Sequence, residues 1–204
     1  MKEYPTISAE LRYGASVYML DKLDGSNIRG EWSRKKGFWK FGRRHGLLDH
    51  STPILLRAPD LIKARYEAAL AEVFRALRWE KAITFFEFYG PSSFAGQHDE
   101  REEQTVTLIG VAGDKKGFVS SRDFVDDFHH VGIPNVVYHG PFSKEIEMQI
   151  REGRLPGVTF EGVVCQGPFV SPGMPLMFKV KAYAWLEKLR AYCAGDEKLF
   201  LKLQ

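Results

Sequence analysis

Lys22-Leu23-Asp24-Gly25-Ser26-Asn27 sets a lysine, an acid and a glycine at fixed spacing ahead of two small polar residues. A lysine amine attacks phosphorus or a carbonyl only when unprotonated, and its ordinary pKa lies near ~10.4. Burial or a neighbouring cation must lower that value first. Gly25 would let backbone approach a ligand closely, and Asp24 can orient the lysine or hold a metal ion. An ordinary turn has the same Asp-Gly-Ser-Asn composition. Residues further along decide between the two.

Charged residues recur downstream inside apolar strands. Phe85-Phe86-Glu87-Phe88-Tyr89-Gly90 holds one carboxylate in an aromatic run, and Phe160-Glu161-Gly162-Val163-Val164 holds a second. In Phe178-Lys179-Val180-Lys181 the lysines alternate with apolar residues, so in a strand both project from one face. Unpaired charge is costly inside a protein, so such residues line a ligand cleft or pair with each other. Each alone reads as the solvent side of a half-covered strand. Together they favour the cleft.

The order Lys-x-Asp-Gly, Glu in an aromatic strand, Glu-Gly-Val-Val and Lys-x-Lys resembles the covalent nucleotidyltransferases, the polynucleotide ligases and mRNA capping enzymes. The likeness spans residues 22–181. Ser26-Asn27 is similar to RNA ligases of the RNA ligase 2 type, whereas DNA ligases and capping enzymes more often carry an arginine near that point. Gly42-Arg43-Arg44-His45-Gly46 is similar to the family's next element, with Arg44 the better match for its arginine.

The resemblance implies an ATP-dependent RNA ligase using Mg²⁺ or Mn²⁺. Lys22 would attack the α-phosphorus of ATP and carry AMP, which passes to an RNA 5′-phosphate before a 3′-hydroxyl displaces it. Lys179 and Lys181 would contact the α-phosphate and help keep Lys22 deprotonated. Glu161 would bind the metal ion, with Asp24 as a further ligand. Glu87 would accept from the ribose hydroxyls, Arg44 would approach the ribose or the 5′-phosphate, and Asn27 would touch the reacting phosphate. The main chain at Asp21 would read the adenine amine. Two departures stand out. Leu108-Ile109-Gly110-Val111 lacks the aromatic residue that stacks on adenine in such ligases, so Ile109 must cover the base. Asp24 also stands where RNA ligase 2 proteins often have histidine.

Positioning these groups falls to a chain of 204 residues, long enough for one well-buried domain over 1–204. Ser16–Leu20 reads as a strand delivering Lys22, and Ile28–Trp32 and Gly37–Phe41 as a hairpin with a basic turn. A helix is expected over 61–79, capped by Asp60, with Ile62, Tyr66, Leu70, Val73, Phe74 and Leu77 on its core face. Residues 82–89 read as a buried strand, 91–104 as a polar loop, and Thr105–Val111 as a strand. A helix over 121–131, capped by Ser120 or Ser121 and stopped by Gly132, is followed by a strand at 135–138 and a helix at 144–152 ended by Gly153. Strands at 158–165 and 176–181, joined by a Pro/Gly loop, precede a terminal helix at 183–193. The mixture is α+β with mostly antiparallel sheets. Only 23 residues follow Lys181, too few for the C-terminal OB-fold or helical domain that the resemblance brings with it.

Composition narrows the class further. Hydrophobic content of 44% and charged content of 27% are those of a globular protein. Net charge is +3, so binding to nucleic acid would rest on clustering rather than on the total. Such a cluster exists: Arg29, Arg34, Lys35, Lys36, Lys40, Arg43 and Arg44 interleave with Trp32, Phe38, Trp39 and Phe41. The pattern suits phosphates and stacked bases, and equally the solvated face of a twisted hairpin. Cys165 and Cys193 offer no disulfide framework or zinc spacing, and His129-His130 reads as a helix C-terminus. With no membrane span or signal peptide, a cytoplasmic protein is expected. RNA with 5′-phosphate and 3′-hydroxyl ends is the expected partner, together with a protein supplying the missing substrate contacts. The competing readings are a minimal ATP-dependent DNA ligase, a capping guanylyltransferase, and an RNA-end-binding module without ligase activity.

Overall fold

Side chains alternate across a strand, and here the alternation gives each sheet an apolar face for a helix and a second face for the interior between sheets. The computed structural model describes residues 2–50, 53–91, 93, 103–113 and 116–204. The expected polar loop at 91–104 lies for the most part outside the described residues. Along the chain the strands are β1 (Ser16–Asp21), β2 (Ser26–Ser33), β3 (Gly37–Arg43), β4 (Lys81–Tyr89), β5 (Thr105–Gly113), β6 (Gly117–Phe118), β7 (Val136–Pro141), β8 (Gly162–Ser171) and β9 (Met174–Lys181). The helices are α1 (Ala58–Ala76), α2 (Ser121–Gly132), α3 (Lys144–Arg151), α4 (Tyr183–Tyr192) and α5 (Glu197–Leu203).

Two antiparallel sheets result, one of four strands in the order β7-β1-β8-β9 and one of five in the order β3-β2-β4-β5-β6. In the larger sheet, Ile28, Phe86, Phe88 and Leu108 face Tyr66 and Phe74 of α1 and Phe128 of α2. Each such fully buried ring contributes roughly 1.5–3 kcal/mol. The opposite face carries Phe85 and Ile109, covered in part by Tyr4 of the N-terminal segment. In the smaller sheet, Val17, Met19, Val163, Phe178 and Val180 pack with Ile150 of α3. Their neighbours Leu20, Val164, Gln166, Lys179 and Lys181 point the other way, into a cleft.

Several expected boundaries shift, each for a local reason. Helix α1 begins at Ala58, continuing a 3-10 turn at Pro53–Arg57, so Asp60 lies in the first turn and caps nothing. Ser120 is the cap of α2, its hydroxyl accepting from the Asp123 amide at 3.1 Å. The segment expected to open a strand at 158 is not extended: Asp21 Oδ1 accepts from the Thr159 amide at 2.9 Å. Strand β8 starts only at Gly162, whose φ is +130° and where a Cβ would meet the Val180 carbonyl oxygen at 2.1 Å. Glu161 therefore precedes the strand rather than sitting within it. The expected Pro/Gly loop is mostly strand, because β8 runs on to Ser171 and turns directly into β9. Beyond the anticipated terminal helix, α5 follows, with Asp196 capping the Leu199 amide at 3.0 Å.

Candidate active site

Strand β1 ends at Asp21 and hands Lys22 to the mouth of the cleft, where the Lys22 amide bonds the Gly162 carbonyl at 2.9 Å. That bond ties the first residue after β1 to the first residue of β8, so Lys22 and Glu161 must emerge side by side. The Ala182 amide donates to the Glu161 carbonyl at 3.0 Å, fixing the glutamate against the end of β9 as well. The cleft has a volume of about 1020 Å³, and all ten residues singled out by sequence line it: Asp21, Lys22, Asp24, Asn27, Arg44, Glu87, Ile109, Glu161, Lys179 and Lys181.

Glu161 is the hub. It is only 3% exposed, and each carboxylate oxygen is taken: Oε2 lies 2.8 Å from Lys22 Nζ and Oε1 lies 2.9 Å from Lys181 Nζ. Lys181 also rests over the Trp185 ring, 3.5 Å from its centroid. Lys179 donates instead to the Gln204 carbonyl at 2.8 Å, so the end of α5 reaches into the same cleft.

Burial alone would lower the Lys22 pKa, but the carboxylates of Glu161, Glu87 and Asp24 outweigh it and hold the value above the ordinary one. The charges of Lys179 and Lys181, each interacting with Lys22, oppose that rise, and Glu161 is paired with both Lys22 and Lys181. Among the three lysines it is Lys181 whose pKa falls furthest, to about 8, through burial and then the Lys22 and Lys179 charges against the pull of Glu161. Lys179 is lowered too, first by burial, then by Lys22 and Arg44. Burial, and then Glu161 and Asp24, push Glu87 up to about 8 despite Lys22, so this carboxyl holds its proton at neutral pH.

Gly25 also differs from expectation. A Cβ there would lie 2.3 Å from the Phe88 carbonyl oxygen, so the glycine serves close approach of the 22–26 loop to β4 rather than to a ligand. That approach brings Asn27 opposite Glu87 in the β2–β4 ladder. Both polar atoms of the Asn27 amide are buried and without a hydrogen-bond partner. An unsatisfied buried amide costs about 1–3 kcal/mol, a cost that a polar ligand in the cleft would relieve. Asp21 holds Thr159 through its side chain, and burial raises its pKa. Ile109 lines the wall beside Tyr4, whose hydroxyl donates to the Ile109 carbonyl at 3.2 Å. Of the basic-aromatic stretch, Arg29, Trp32 and Phe38 are buried, and the Arg29 guanidinium holds the Lys2 and Gly46 carbonyls at 3.1 and 2.9 Å. Arg29 thus positions the loop that carries Arg44.

Tyr4, Trp185 and the 202–204 segment line the cleft without having been marked by sequence. Trp185 lies four residues beyond Lys181, on the first turn of α4, and is held to the cleft by the Lys181 ammonium over its ring. Among the described residues no group of three or more His, Cys, Asp or Glu side chains is placed to hold a metal ion. Of the carboxyl groups lining the cleft, Asp24 and Glu161 are those that the sequence marked as metal ligands, and a Mg²⁺ ion bound with substrate phosphates needs only one or two. Among the described residues no helix is long and apolar enough to cross a membrane.

No family model matches the chain, and no curated protein does. Solved structures do. The RNA ligase of Naegleria gruberi with PPi is similar at 18% identity and a TM-score of 0.56, over 88% of this chain and 53% of that one. A lysine-to-alanine mutant of that ligase with ATP and Mn is similar at 19% identity and a TM-score of 0.53, over 91% and 59%. A glutamate-to-alanine mutant with AMP and Mn is similar at 18% identity and a TM-score of 0.54 over the same shares, 91% and 59%. The chain thus spans between half and three-fifths of these structures, and what it shares with them is the fold of that part of the RNA ligase.

Proposed function

We propose that this chain is the nucleotidyltransferase part of an ATP-dependent RNA ligase, which carries AMP on Lys22, transfers it to an RNA 5′-phosphate and joins that end to a 3′-hydroxyl. The observation that carries the reading is the convergence of Lys22 and Lys181 on opposite oxygens of buried Glu161. A structural ion pair needs one cation. A second lysine with a lowered pKa, and a third alongside, is an arrangement for polyanionic phosphate. The unpartnered Asn27 amide in the same cleft supports a polar ligand, and the related ligases solved with ATP or AMP and Mn support a nucleotide with a divalent ion.

In this reading the Lys22 amine, freed of its proton, attacks the α-phosphorus, and the bond to pyrophosphate breaks. Lys179 and Lys181 neutralise charge on the phosphate as it builds, a contribution that matters most in the transition state. Glu161 and Asp24 would hold Mg²⁺ or Mn²⁺, which would neutralise phosphate charge further. Drawing Glu161 away from Lys22 would remove its hydrogen-bonded counter-charge and so favour the neutral amine, with burial acting in the same direction. Protonated Glu87 can both donate to and accept from ribose hydroxyls. Arg44, exposed at the rim near Lys179, suits the incoming 5′-phosphate with its guanidinium fork. Ile109 would cover the base, and the Asp21 main chain would read its amine.

Incubation with α-labelled ATP or GTP, Mg²⁺ and 5′-phosphorylated RNA, followed on a denaturing gel, tests this. Label should appear on the protein from ATP, then on the RNA end, and then leave as the strand is sealed. Matched nicks ending in ribose or deoxyribose separate RNA from DNA joining: equal sealing of the all-DNA nick would make this a minimal DNA ligase. Labelled protein that seals neither nick would point to a partner that supplies substrate contacts. No label on the protein would contradict the enzymatic reading.

A further inference from the structure

The larger sheet carries a second cavity at the end opposite the nucleotide cleft. Asn27 and Glu87 mark one end of the β2–β4 ladder and Ser33 and Lys81 the other, about 20 Å away at ~3.3 Å per residue. At that far end lies a groove of about 760 Å³, with Ala82, Ile83 and Ala112 among the residues that line it. The N-terminal segment separates it from the cleft, with Lys2 over the Phe118 ring and Tyr4 against Phe85.

Charge on this groove is one-sided. Lys2, Lys35, Lys36 and Lys81 line it, against Glu31 and Glu80. Both acids are already engaged, Glu80 by Arg34 at 2.7 Å and Glu31 by Lys40 at 3.9 Å. None of the four lysines has an ion-pair partner among the described residues. In a chain whose net charge is only +3, four uncompensated lysines on one groove are a local concentration of positive potential. Beside them Trp39 is 48% exposed, with Lys36 and Lys40 at 5.0 and 5.7 Å from its ring centroid. The neighbouring aromatics of the hairpin, Trp32 and Phe38, are buried in the core, so Trp39 is the ring left for a partner.

We propose that this groove is a second binding site for single-stranded polynucleotide, which stacks a base on Trp39 and lays its phosphates along Lys35, Lys36, Lys81 and Lys2. An exposed indole among lysines meets both requirements of such a strand, a planar face for a base and cations for the backbone. An acidic peptide would use the lysines but leave the ring idle, and a duplex would keep its base faces stacked inside. The proposal rests on the RNA-ligase reading only for its consequence: one single strand with its end at Lys22 would run along the sheet to Trp39. The groove would then supply substrate grip that the cleft itself lacks.

The test is fluorescence anisotropy of a labelled, 5′-phosphorylated single-stranded RNA twelve-mer across a salt series. The proteins compared are wild type, Trp39→Ala, Trp39→Phe and the double variant Lys35→Ala/Lys36→Ala, each checked for unchanged thermal melting. Trp39→Ala should bind about 5- to 150-fold more weakly, with Trp39→Phe recovering most of the loss. The double lysine variant should flatten the log–log salt slope by about 1.4. Wild-type affinity and slope in all variants would overturn the proposal. So would displacement of the RNA by a polyglutamate peptide, or tighter binding of a blunt duplex. Formation of the Lys22 adduct from ATP alone is read in parallel. An adduct that forms while Trp39 proves irrelevant removes only the groove, whereas Trp39-dependent binding without any adduct removes only the ligase chemistry.

Discussion

Lys22 Nζ sits 2.8 Å from Glu161 Oε2, which makes the proposed nucleophile and the proposed metal ligand partners before any nucleotide arrives. The pairing favours the charged form of the lysine, which is not the nucleophilic one. In the proposed reaction Glu161 would have to be drawn elsewhere, so the glutamate would both restrain and release Lys22. A free ammonium at this position would bind phosphate but could not attack it.

Glu161→Ala therefore has two opposed effects. It frees Lys22 from its counter-charge and removes an ion ligand, and the second should dominate. AMP transfer to Lys22 at neutral pH should fall by ~10²–10³, as should that of Lys179→Ala and Lys181→Ala. Rapid-quench measurement of adduct formation checks this, and rates like wild type in all three would make the pairs purely structural.

Glu87 gives a stability signature that needs no substrate. Its carboxyl is held protonated up to about 8 in the fold, against an ordinary 4.5. A proton bound more tightly in the folded state stabilises below the ordinary value, and that stability is lost as pH rises through the folded one. Wild type should lose melting temperature relative to Glu87→Gln between about pH 5 and pH 8. A flat difference would mean that folded Glu87 ionises like a surface glutamate.

Glu147 behaves oppositely. It is buried on α3, where burial would raise its pKa, but hydrogen bonds from Lys144, Tyr13 and Arg151 hold it down to about 2. Its stabilisation is present above about 4.5 and lost as pH falls towards 2. Lys144 is largely exposed and adds little. Glu147→Gln should cost roughly 1.5–3 kcal/mol at pH 7 by denaturant titration. A loss that persists undiminished at about pH 2 would show that packing, not charge, is responsible.

Gly25→Ala tests whether the loop's approach to β4 sets the geometry of Lys22. The added methyl must displace the loop from the Phe88 carbonyl, 2.3 Å away. A shift near 1 Å at a reacting group lowers rates by about 10²-fold. Adduct formation should fall by about that factor, melting should fall as well because the clash is with backbone, and an unaffected rate would separate the glycine from catalysis.

What could be read from sequence tracks what spacing encodes. Lys179 and Lys181 share a face because strand alternation demands it, and Lys22 follows β1 because the apolar run stops at Leu20 and the buried Asp21. The partnership of Lys22 with Glu161 was not legible, since it depends on the Lys22–Gly162 backbone bond that joins distant strands. For the same reason the motif names the lysines but not which charge stands nearest Lys22. Tyr4 and Gln204 enter the cleft from the N-terminal segment and the end of α5, where no periodicity or motif marks them. Helix α5 escaped notice because its seven residues are too few for a clear period, although Asp196 caps it.

The central claim is that Lys22 is the residue that carries AMP. Intact mass of the protein after incubation with ATP and Mg²⁺, followed by peptide mapping, measures it directly. The account predicts a gain of one AMP, localised to the peptide containing Lys22 and absent in Lys22→Ala. An adduct of undiminished yield in Lys22→Ala, or one mapping to Lys179 or Lys181, would contradict it.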